Sequence, residues 1–132
     1  MNADVVDQIL ALKTWAIVGL SNNTQRPAFE VSALLLQKGH RIVPVHPKAE
    51  SVHGQKGYSS LEEIEFPIDV VDVFVNSTLA GVVVDDAIRI GAKAVWLQLG
   101  VIDQNAMDRA QKAGLLAVMD KCPAIEYRKR VL

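Results

Sequence analysis

Four short segments of the sequence change abruptly from apolar residues to small or polar ones. They are Gly19-Leu20-Ser21, Val45-His46-Pro47-Lys48, Asn76-Ser77-Thr78 and Gln98-Leu99-Gly100. Each segment follows an apolar run that reads as a buried strand. In an open parallel α/β sheet, ligands bind outside the carboxyl ends of the strands. We therefore expect the four segments to meet at one cleft.

The first segment has the composition of an anion-binding turn. Gly19 permits a tight turn and a close approach by a ligand. Residues 21–26 then supply hydroxyl, amide and guanidinium groups and lead into a helix that begins near Pro27. Free N–H groups at the amino end of a helix favour an anion. The same residues would also serve simply to turn the chain and cap the helix, so both interpretations stay open here.

The second segment discriminates between nucleotide ligands. A dinucleotide fingerprint requires G-x-G-x-x-G after the first strand, and an acidic residue after the second strand binds the ribose of NAD. Here only Gly19 is present, and the second strand is followed by His46, Pro47 and Lys48. Because a lysine attracts a phosphate, a phosphorylated ribose fits better than NAD. NADP and coenzyme A both qualify, with Arg26 and Lys48 as the predicted phosphate ligands.

The elements that must position these residues alternate regularly along the chain. Apolar, β-branched runs at residues 14–19, 41–45, 69–75, 93–98 and 115–119 are typical of strands covered on both faces. Helical spacing occurs at residues 5–12, 27–38, 60–64, 79–90 and 103–113. We predict one domain, residues 1–132, with a Rossmann-like three-layer α/β/α fold. Its five parallel strands are expected in the order 3-2-1-4-5, with the cleft between the first and fourth strands.

Composition excludes several classes of partner. The net charge of −1 argues against a broad nucleic-acid surface, which needs dense Lys and Arg. No apolar run approaches the roughly 20 residues that span a bilayer, and the first residues lack the features of a signal peptide. A single cysteine, Cys122, excludes an internal disulfide and suits a reducing compartment. We expect a cytoplasmic protein with no nucleic-acid or membrane partner.

The remaining reactive residue types show no catalytic or metal-binding spacing. His40, His46 and His53 belong to no Cys/His/Asp/Glu cluster, and no Ser or Cys has a His–Asp partner order. We expect His40 at the surface, and Cys122 together with both tryptophans in the core. The sequence therefore predicts neither catalytic residues nor a metal.

Over essentially its whole length, the sequence resembles the small bacterial coenzyme A-binding proteins. These are similar to the nucleotide-binding domain of the succinyl-CoA synthetase α subunit. The segments that carry the resemblance are A-I-V-G-L-S (16–21), P-V-H-P-K (44–48), D-V-V-D-V-F-V-N (69–76), A-V-W-L-Q-L-G (94–100) and V-M-D-K-C-P (118–123). W-L-Q-L-G and M-D-x-C are the more distinctive of these. The synthetase's phosphorylated histidine, ligase domain and partner subunit have no counterpart, so its reaction is not implied.

The resemblance implies coenzyme A or an acyl-CoA as the cofactor. Residues 19–26 would cradle its phosphates, Lys48 would approach the phosphorylated ribose, and residues 97–99 would lie beside the adenine or the upper pantetheine arm. Combined with the strand-end pattern, this gives the predicted cofactor-binding residues: Gly19, Leu20, Ser21, Asn22, Arg26, His46, Pro47, Lys48, Asn76, Ser77, Leu97, Gln98, Leu99 and Gly100.

Three functional hypotheses are compatible with these observations. The first is a non-catalytic module that binds coenzyme A or an acyl-CoA. An NADP-binding oxidoreductase or redox-sensing domain is the alternative, although the missing glycines weaken it. The third is a regulatory module whose ligand state is sensed by a partner protein or by a second copy in a homodimer.

Overall fold

The five apolar runs form the strands of one parallel sheet. The computed structural model describes residues 4–130. Its strands are β1 (Thr14–Val18), β2 (Arg41–Val45), β3 (Val70–Val73), β4 (Ala94–Leu97) and β5 (Leu116–Val118). All neighbouring strands run parallel. The predicted fold class, a Rossmann-like parallel α/β fold, is confirmed.

The helices begin and end close to the predicted positions. They are α1 (Val5–Leu10), α2 (Pro27–Gln37), α3 (Ser77–Arg89), α4 (Gln104–Lys112) and α5 (Pro123–Lys129), with a 3-10 turn at Leu61–Glu63. Helix α3 begins two residues earlier than predicted because the Asn76 side chain accepts a hydrogen bond from Thr78 N at 3.2 Å and caps it. Asp103 caps α4 in the same way, accepting from Ala106 N at 3.0 Å.

The strand order in space is 2-1-3-4-5, which corrects the predicted order 3-2-1-4-5. Strand β1 has β2 on one side and β3 on the other. Tyr58 takes the place predicted for the third strand beside β2. Its N–H donates to Pro44 O, and its carbonyl accepts from His46 N, both at 3.0 Å. The chain therefore crosses to the far side of β1, and the order reverses between β1 and β3 rather than between the first and fourth strands.

Asp69 fixes the start of β3 beside β1 and β4. Its carboxylate accepts from Thr14 N at 3.0 Å, while its own N–H donates to Thr14 O at 3.0 Å. Lys93 adds an ion pair to the same carboxylate, with Nζ 3.4 Å from Oδ1. This cluster, at the amino end of the sheet, holds three neighbouring strands in register.

Two apolar cores cover the two faces of the sheet, as the continuous apolar strands predict. Trp15, Ile17 and Trp96 lie on the face that packs against α1, α2 and α5. The opposite face, with Val71 and Val95, packs against α3 and α4. Both tryptophans are fully buried, with ring centroids 5.7 Å apart. The prediction that they belong to the core is confirmed, and the fold has the three predicted layers.

The prediction that His40 lies at the surface is wrong. Its side chain is buried at the amino end of the sheet, where Nδ1 lies 2.8 Å from Leu12 O and Nε2 contacts the Tyr127 hydroxyl. Burial lowers the pKa of His40 below its usual value. Local sequence gave no sign of this because the covering residue, Tyr127, lies 87 positions away.

Candidate functional site

A cleft of about 890 Å³ opens over the carboxyl ends of β1 to β4. Its volume lies within the range of small-molecule sites. The predicted site residues that line it are Gly19, Ser21, Arg26, His46, Pro47, Lys48, Asn76, Gln98, Leu99 and Gly100. The glycine turn after β1 and the lysine after β2 therefore face one shared cleft.

Four other predicted residues do not line the cleft. Leu20 and Leu97 are fully buried in the core. Asn22 ties the β1–α2 loop to the β2–β3 connection, donating from its backbone N to Glu50 and from Nδ2 to a carbonyl of that connection. The Ser77 hydroxyl accepts from Ile102 N at 2.9 Å and joins α3 to the loop after β4. These positions support the walls of the cleft rather than face its interior.

Gly19 makes the turn that brings the chain from β1 to the cleft. Its φ of +102° lies in the region that favours glycine, and a Cβ there would lie 3.2 Å from both the Cβ and the carbonyl oxygen of Phe74. Its N–H donates to Val45 O at 2.8 Å. The turn is therefore held between the ends of β2 and β3, and a side chain there would press against Phe74.

The amino end of α2 borders the cleft, and no described residue caps it with a side chain. Arg26 occupies the N-cap position, and its side chain forms no capping hydrogen bond within residues 4–130. Arg26, Pro27 and Ala28 all line the cleft. Ser21 and Asn23 instead stabilise the preceding loop, accepting from Asn23 N at 3.2 Å and Gln25 N at 3.0 Å. The amino end of α2 therefore faces the cleft, and its partial positive charge favours an anion there.

Arg26 and Lys48 are the uncompensated cations of the cleft. Within residues 4–130, neither side chain takes part in an ion pair, whereas Arg89, Arg109 and Arg130 all do. The acidic residue of the lining, Asp86, pairs with Arg89. Both cations line the same cleft, Arg26 from the amino end of α2 and Lys48 from the loop after β2.

The opposite part of the cleft is apolar. Leu79 and Val82 on α3 are 52 % and 63 % exposed, and Leu99 after β4 is 56 % exposed. All three line the cleft. Sequence reasoning missed Leu79 and Val82, although their spacing of three residues already placed them on one side of the predicted helix. The cleft therefore joins a cationic end to an apolar one.

The long β2–β3 connection contributes through its two ends. His46, Pro47 and Lys48 line the cleft at one end, and residues 59–61 line it at the other. Its middle folds back on itself, with Val52 fully buried and paired with Gln55 through two backbone hydrogen bonds. Residues 59–61 were not predicted, and the length of the connection was the signal for them.

Gln98 is the buried polar residue of the lining. Gln98 is 7 % exposed, and its Oε1 is buried without a hydrogen-bond partner among residues 4–130. Native structures rarely leave such an atom unsatisfied. Oε1 therefore needs a hydrogen-bond donor, and Gln98 is a wall residue whose amide has unused bonding capacity.

Cys122 lies outside this site. It is buried at the N-cap position of α5 and packs in the core beneath α2, so the prediction of a buried hydrophobic role is confirmed. Residues 4–130 contain no cluster of His, Cys, Asp or Glu arranged to hold a metal. None of the helices in this part of the chain combines the length and the apolar character that crossing a bilayer requires.

Comparison with known proteins decides the family. A sequence model described as a CoA binding domain matches residues 13–128, which include all five strands and every loop of the cleft. The chain belongs to this CoA-binding family.

Relatives of similar size support this assignment. The uncharacterized protein YneT of Bacillus subtilis is 32 % identical over 125 residues, which cover 95 % of this chain and 93 % of that protein. A hypothetical protein from Pyrococcus horikoshii is 38 % identical, with a TM-score of 0.89 over 94 % of this chain and 88 % of the other.

A larger enzyme shares the fold. Acetyl-coenzyme A synthetase 1 of Candidatus Korarchaeum cryptofilum, solved with phosphate and ADP, has a TM-score of 0.75 at 19 % identity. The match covers 87 % of this chain and 27 % of the synthetase chain. At that identity the likeness concerns the fold alone.

Proposed function

We propose that this protein binds coenzyme A, free or acylated, in the cleft over the carboxyl ends of the strands, as a non-catalytic binding or regulatory module. The observation that carries the proposal is the pair of unpaired cations, Arg26 and Lys48, at two strand ends beside the open amino end of α2. Coenzyme A carries a diphosphate and a separate ribose phosphate. Three sources of positive potential in one cleft match that pattern of charge.

The diphosphate is assigned to the turn at Gly19 and the amino end of α2. Gly19 places no side chain between the turn and the cleft, and the amino end of α2 borders the same space. Arg26 stands at the same helix terminus and adds a guanidinium. The ribose phosphate is assigned to Lys48, whose backbone N–H donates to His46 Nδ1 at 3.1 Å and so fixes the turn that carries it.

The apolar end of the cleft suits the uncharged parts of the cofactor. Leu79, Val82 and Leu99 present exposed aliphatic surface that adenine or the pantetheine arm would cover. Gln98 lines the cleft and carries an amide group. The family match supports coenzyme A over NADP, so we do not favour the oxidoreductase or redox-sensing alternative.

We assign no reaction to the cleft. The titratable residues that line the cleft are Arg26, His46, Lys48 and Asp86. We assign the three basic residues to the binding of the ligand's anionic groups. Lining residues Ser21, Ser59 and Ser60 supply hydroxyls. We propose that the protein acts in the cytoplasm, in keeping with its single buried cysteine.

Isothermal titration calorimetry with coenzyme A, 3′-dephospho-coenzyme A and NADPH tests the proposal. We expect coenzyme A to bind most tightly and loss of the 3′-phosphate to weaken binding. Neither heat nor a thermal shift with coenzyme A or acetyl-CoA would contradict the proposal, and tighter binding of NADPH would favour the oxidoreductase. Light scattering with and without coenzyme A tests whether a ligand-dependent homodimer forms.

A further inference from the structure

All buried side-chain polar atoms that lack a partner in the described chain belong to two residues. They are both carboxyl oxygens of Asp72 and Oε1 of Gln98. Asp72 lies within β3 and is completely buried, and Gln98 follows β4 and is 7 % exposed. Such atoms are rare in folded proteins, and each one calls for a physical explanation.

The register of the sheet brings the two residues together. Asp72 on β3 is paired with Trp96 on β4. Gln98 follows Trp96 by two residues, directly after the end of β4, and its N–H donates to Val73 O at 3.1 Å, which continues the pairing with β3. Side chains two residues apart on a strand lie on the same face, so Asp72 and Gln98 share the face that packs against α2. A strand spacing of about 4.8 Å and a rise of about 3.3 Å per residue put their Cα atoms about 8 Å apart. An aspartate and a glutamine side chain can span that distance between them.

Within residues 4–130, Asp72 takes part in no ion pair. On this face, β1 presents Ile17, β4 presents Trp96, and α2 presents the apolar Ala28, Val31 and Leu35. Helix α2 also buries Ser32, whose hydroxyl donates to Phe29 O and lies 3.2 Å from His53 Nε2. The charged residues of α2 and its cap, Glu30 and Arg26, are exposed. Desolvation raises the pKa of Asp72 well above the ordinary value of a carboxyl group.

The other buried titratable groups of this layer are used elsewhere. Glu126 pairs with Lys129 and Arg130, and His40 is bonded to Leu12 O and Tyr127. Cys122 lies at the start of α5 and packs in the apolar core of this layer. A neutral carboxylic acid at Asp72 has an O–H that needs an acceptor, and Gln98 Oε1 is a buried acceptor that needs a donor.

We propose that Asp72 is a positioning residue whose protonated carboxyl donates to Gln98 Oε1 and thereby turns Gln98 Nε2 toward the cleft. The Nε2 group then serves as a fixed donor for an acceptor atom of the ligand, such as a ring nitrogen or an amide carbonyl. This assignment of ligand chemistry rests on the proposed function of the cleft. The protonation of Asp72 does not depend on the proposed function and is tested separately.

The protonation state is read by carbon-13 NMR of the aspartate carboxyl groups between pH 5 and 8, with Asp72→Asn to assign the signal. We expect the Asp72 signal to stay at the position of a neutral acid throughout this range. A signal at the position of an ionised carboxylate at pH 7 would overturn the proposal, whether or not the protein binds coenzyme A.

The positioning role is read from coenzyme A affinity in a set of variants. Asp72→Asn keeps a donor for Gln98 Oε1, so we expect its affinity to stay within about twofold of the unsubstituted protein. Asp72→Leu removes the donor, and we expect a loss of about tenfold, of the order of one hydrogen bond. Melting temperatures and near-ultraviolet circular dichroism of both variants check that each is folded.

A double-mutant cycle separates positioning from a packing effect. If Asp72 acts through Gln98, the combination of Asp72→Leu with Gln98→Leu should bind no more weakly than Gln98→Leu alone. Additive losses, or an Asp72→Leu variant with unchanged affinity, would refute the positioning role. No binding of coenzyme A by the unsubstituted protein would instead refute the proposed function and leave the NMR result to decide the state of Asp72.

Discussion

At the amino end of the sheet, the polar side chains of Asp69 and His40 are bonded to protein groups, whereas two cations at the carboxyl end form no ion pair with any described residue. At the amino end, Asp69 accepts from Thr14 N and pairs with Lys93, and His40 is bonded at both ring nitrogens. At the carboxyl end, the side chains of Arg26 and Lys48 are unpaired within residues 4–130.

This difference separates two uses of polar residues within one sheet. A bonded cluster holds strands in register and ties helices to the sheet, so its removal should affect stability first. Unpaired cations contribute little to the fold, and their charge is available to a ligand. Substitutions at the two ends should therefore separate loss of binding from loss of stability.

The largest expected effect on binding is that of Lys48→Glu. A carboxylate in place of an ammonium near a phosphate should cost about 1 to 3 kcal/mol in coenzyme A affinity, roughly 5- to 150-fold. Lys112→Glu, on the exposed end of α4 and outside the cleft, changes the net charge equally and is the matched control. Calorimetry should show the loss for Lys48→Glu alone. Equal losses in both variants would mean that only overall charge matters.

Gly19→Ala should weaken both folding and binding. The positive φ and the contact with Phe74 make the methyl group costly, by about 1 to 2 kcal/mol of unfolding free energy. Gly114→Ala is the control, because Gly114 also has a positive φ, +90°, but open space around its Cβ and no place in the cleft. Urea unfolding should show a loss in both. Only Gly19→Ala should also lose coenzyme A affinity. Unchanged affinity in this variant would contradict the assignment of the diphosphate to the Gly19 turn.

The smallest effect, confined to stability, is expected from His40. Its pKa in the folded protein is lowered by burial, so as the pH falls below about 6.5 the unfolded chain takes up the proton first. The stability that the neutral His40 contributes is therefore complete above that pH and is lost as the pH falls. The free energy of unfolding then decreases by at most about 1.36 kcal/mol per pH unit. His40→Gln should flatten this slope in urea unfolding between pH 5 and 8. A slope unchanged by the substitution would assign the acid sensitivity to other groups.

Coenzyme A affinity at pH 7 should not change in His40→Gln, because His40 lies at the opposite end of the sheet from the cleft. A clear loss of affinity would show that the two ends of the sheet are energetically coupled, so that binding and stability are not separable by position.

The sequence predicted the strands, the helices and the meeting of the strand ends because these depend on local patterns. Continuous β-branched runs define buried strands, and the change to Gly19 or to His46 and Lys48 marks where they end. The strand order was not predictable in this way. It depends on the backbone pairing of Tyr58 with the edge of β2, and backbone hydrogen bonds carry no side-chain signature.

The candidate site was predictable in its turns and not in its walls. Gly19 and Lys48 are marked by residue type, and both line the cleft. Asn22 and Ser77 have equally polar side chains but bond to neighbouring loops. Leu79 and Val82 became visible as lining only when α3 was placed beside the strand ends. Which polar side chain meets a ligand and which meets the protein depends on packing between distant segments.

Chemical-shift mapping by two-dimensional amide NMR during titration with coenzyme A tests the central claim most directly. We predict shifts at the amides of Gly19, Ser21, Ala28, Lys48 and Gln98 and none at Thr14, His40, Asp69 or Lys93. Shifts concentrated at the amino end of the sheet, or a titration that moves no amide at all, would contradict the account.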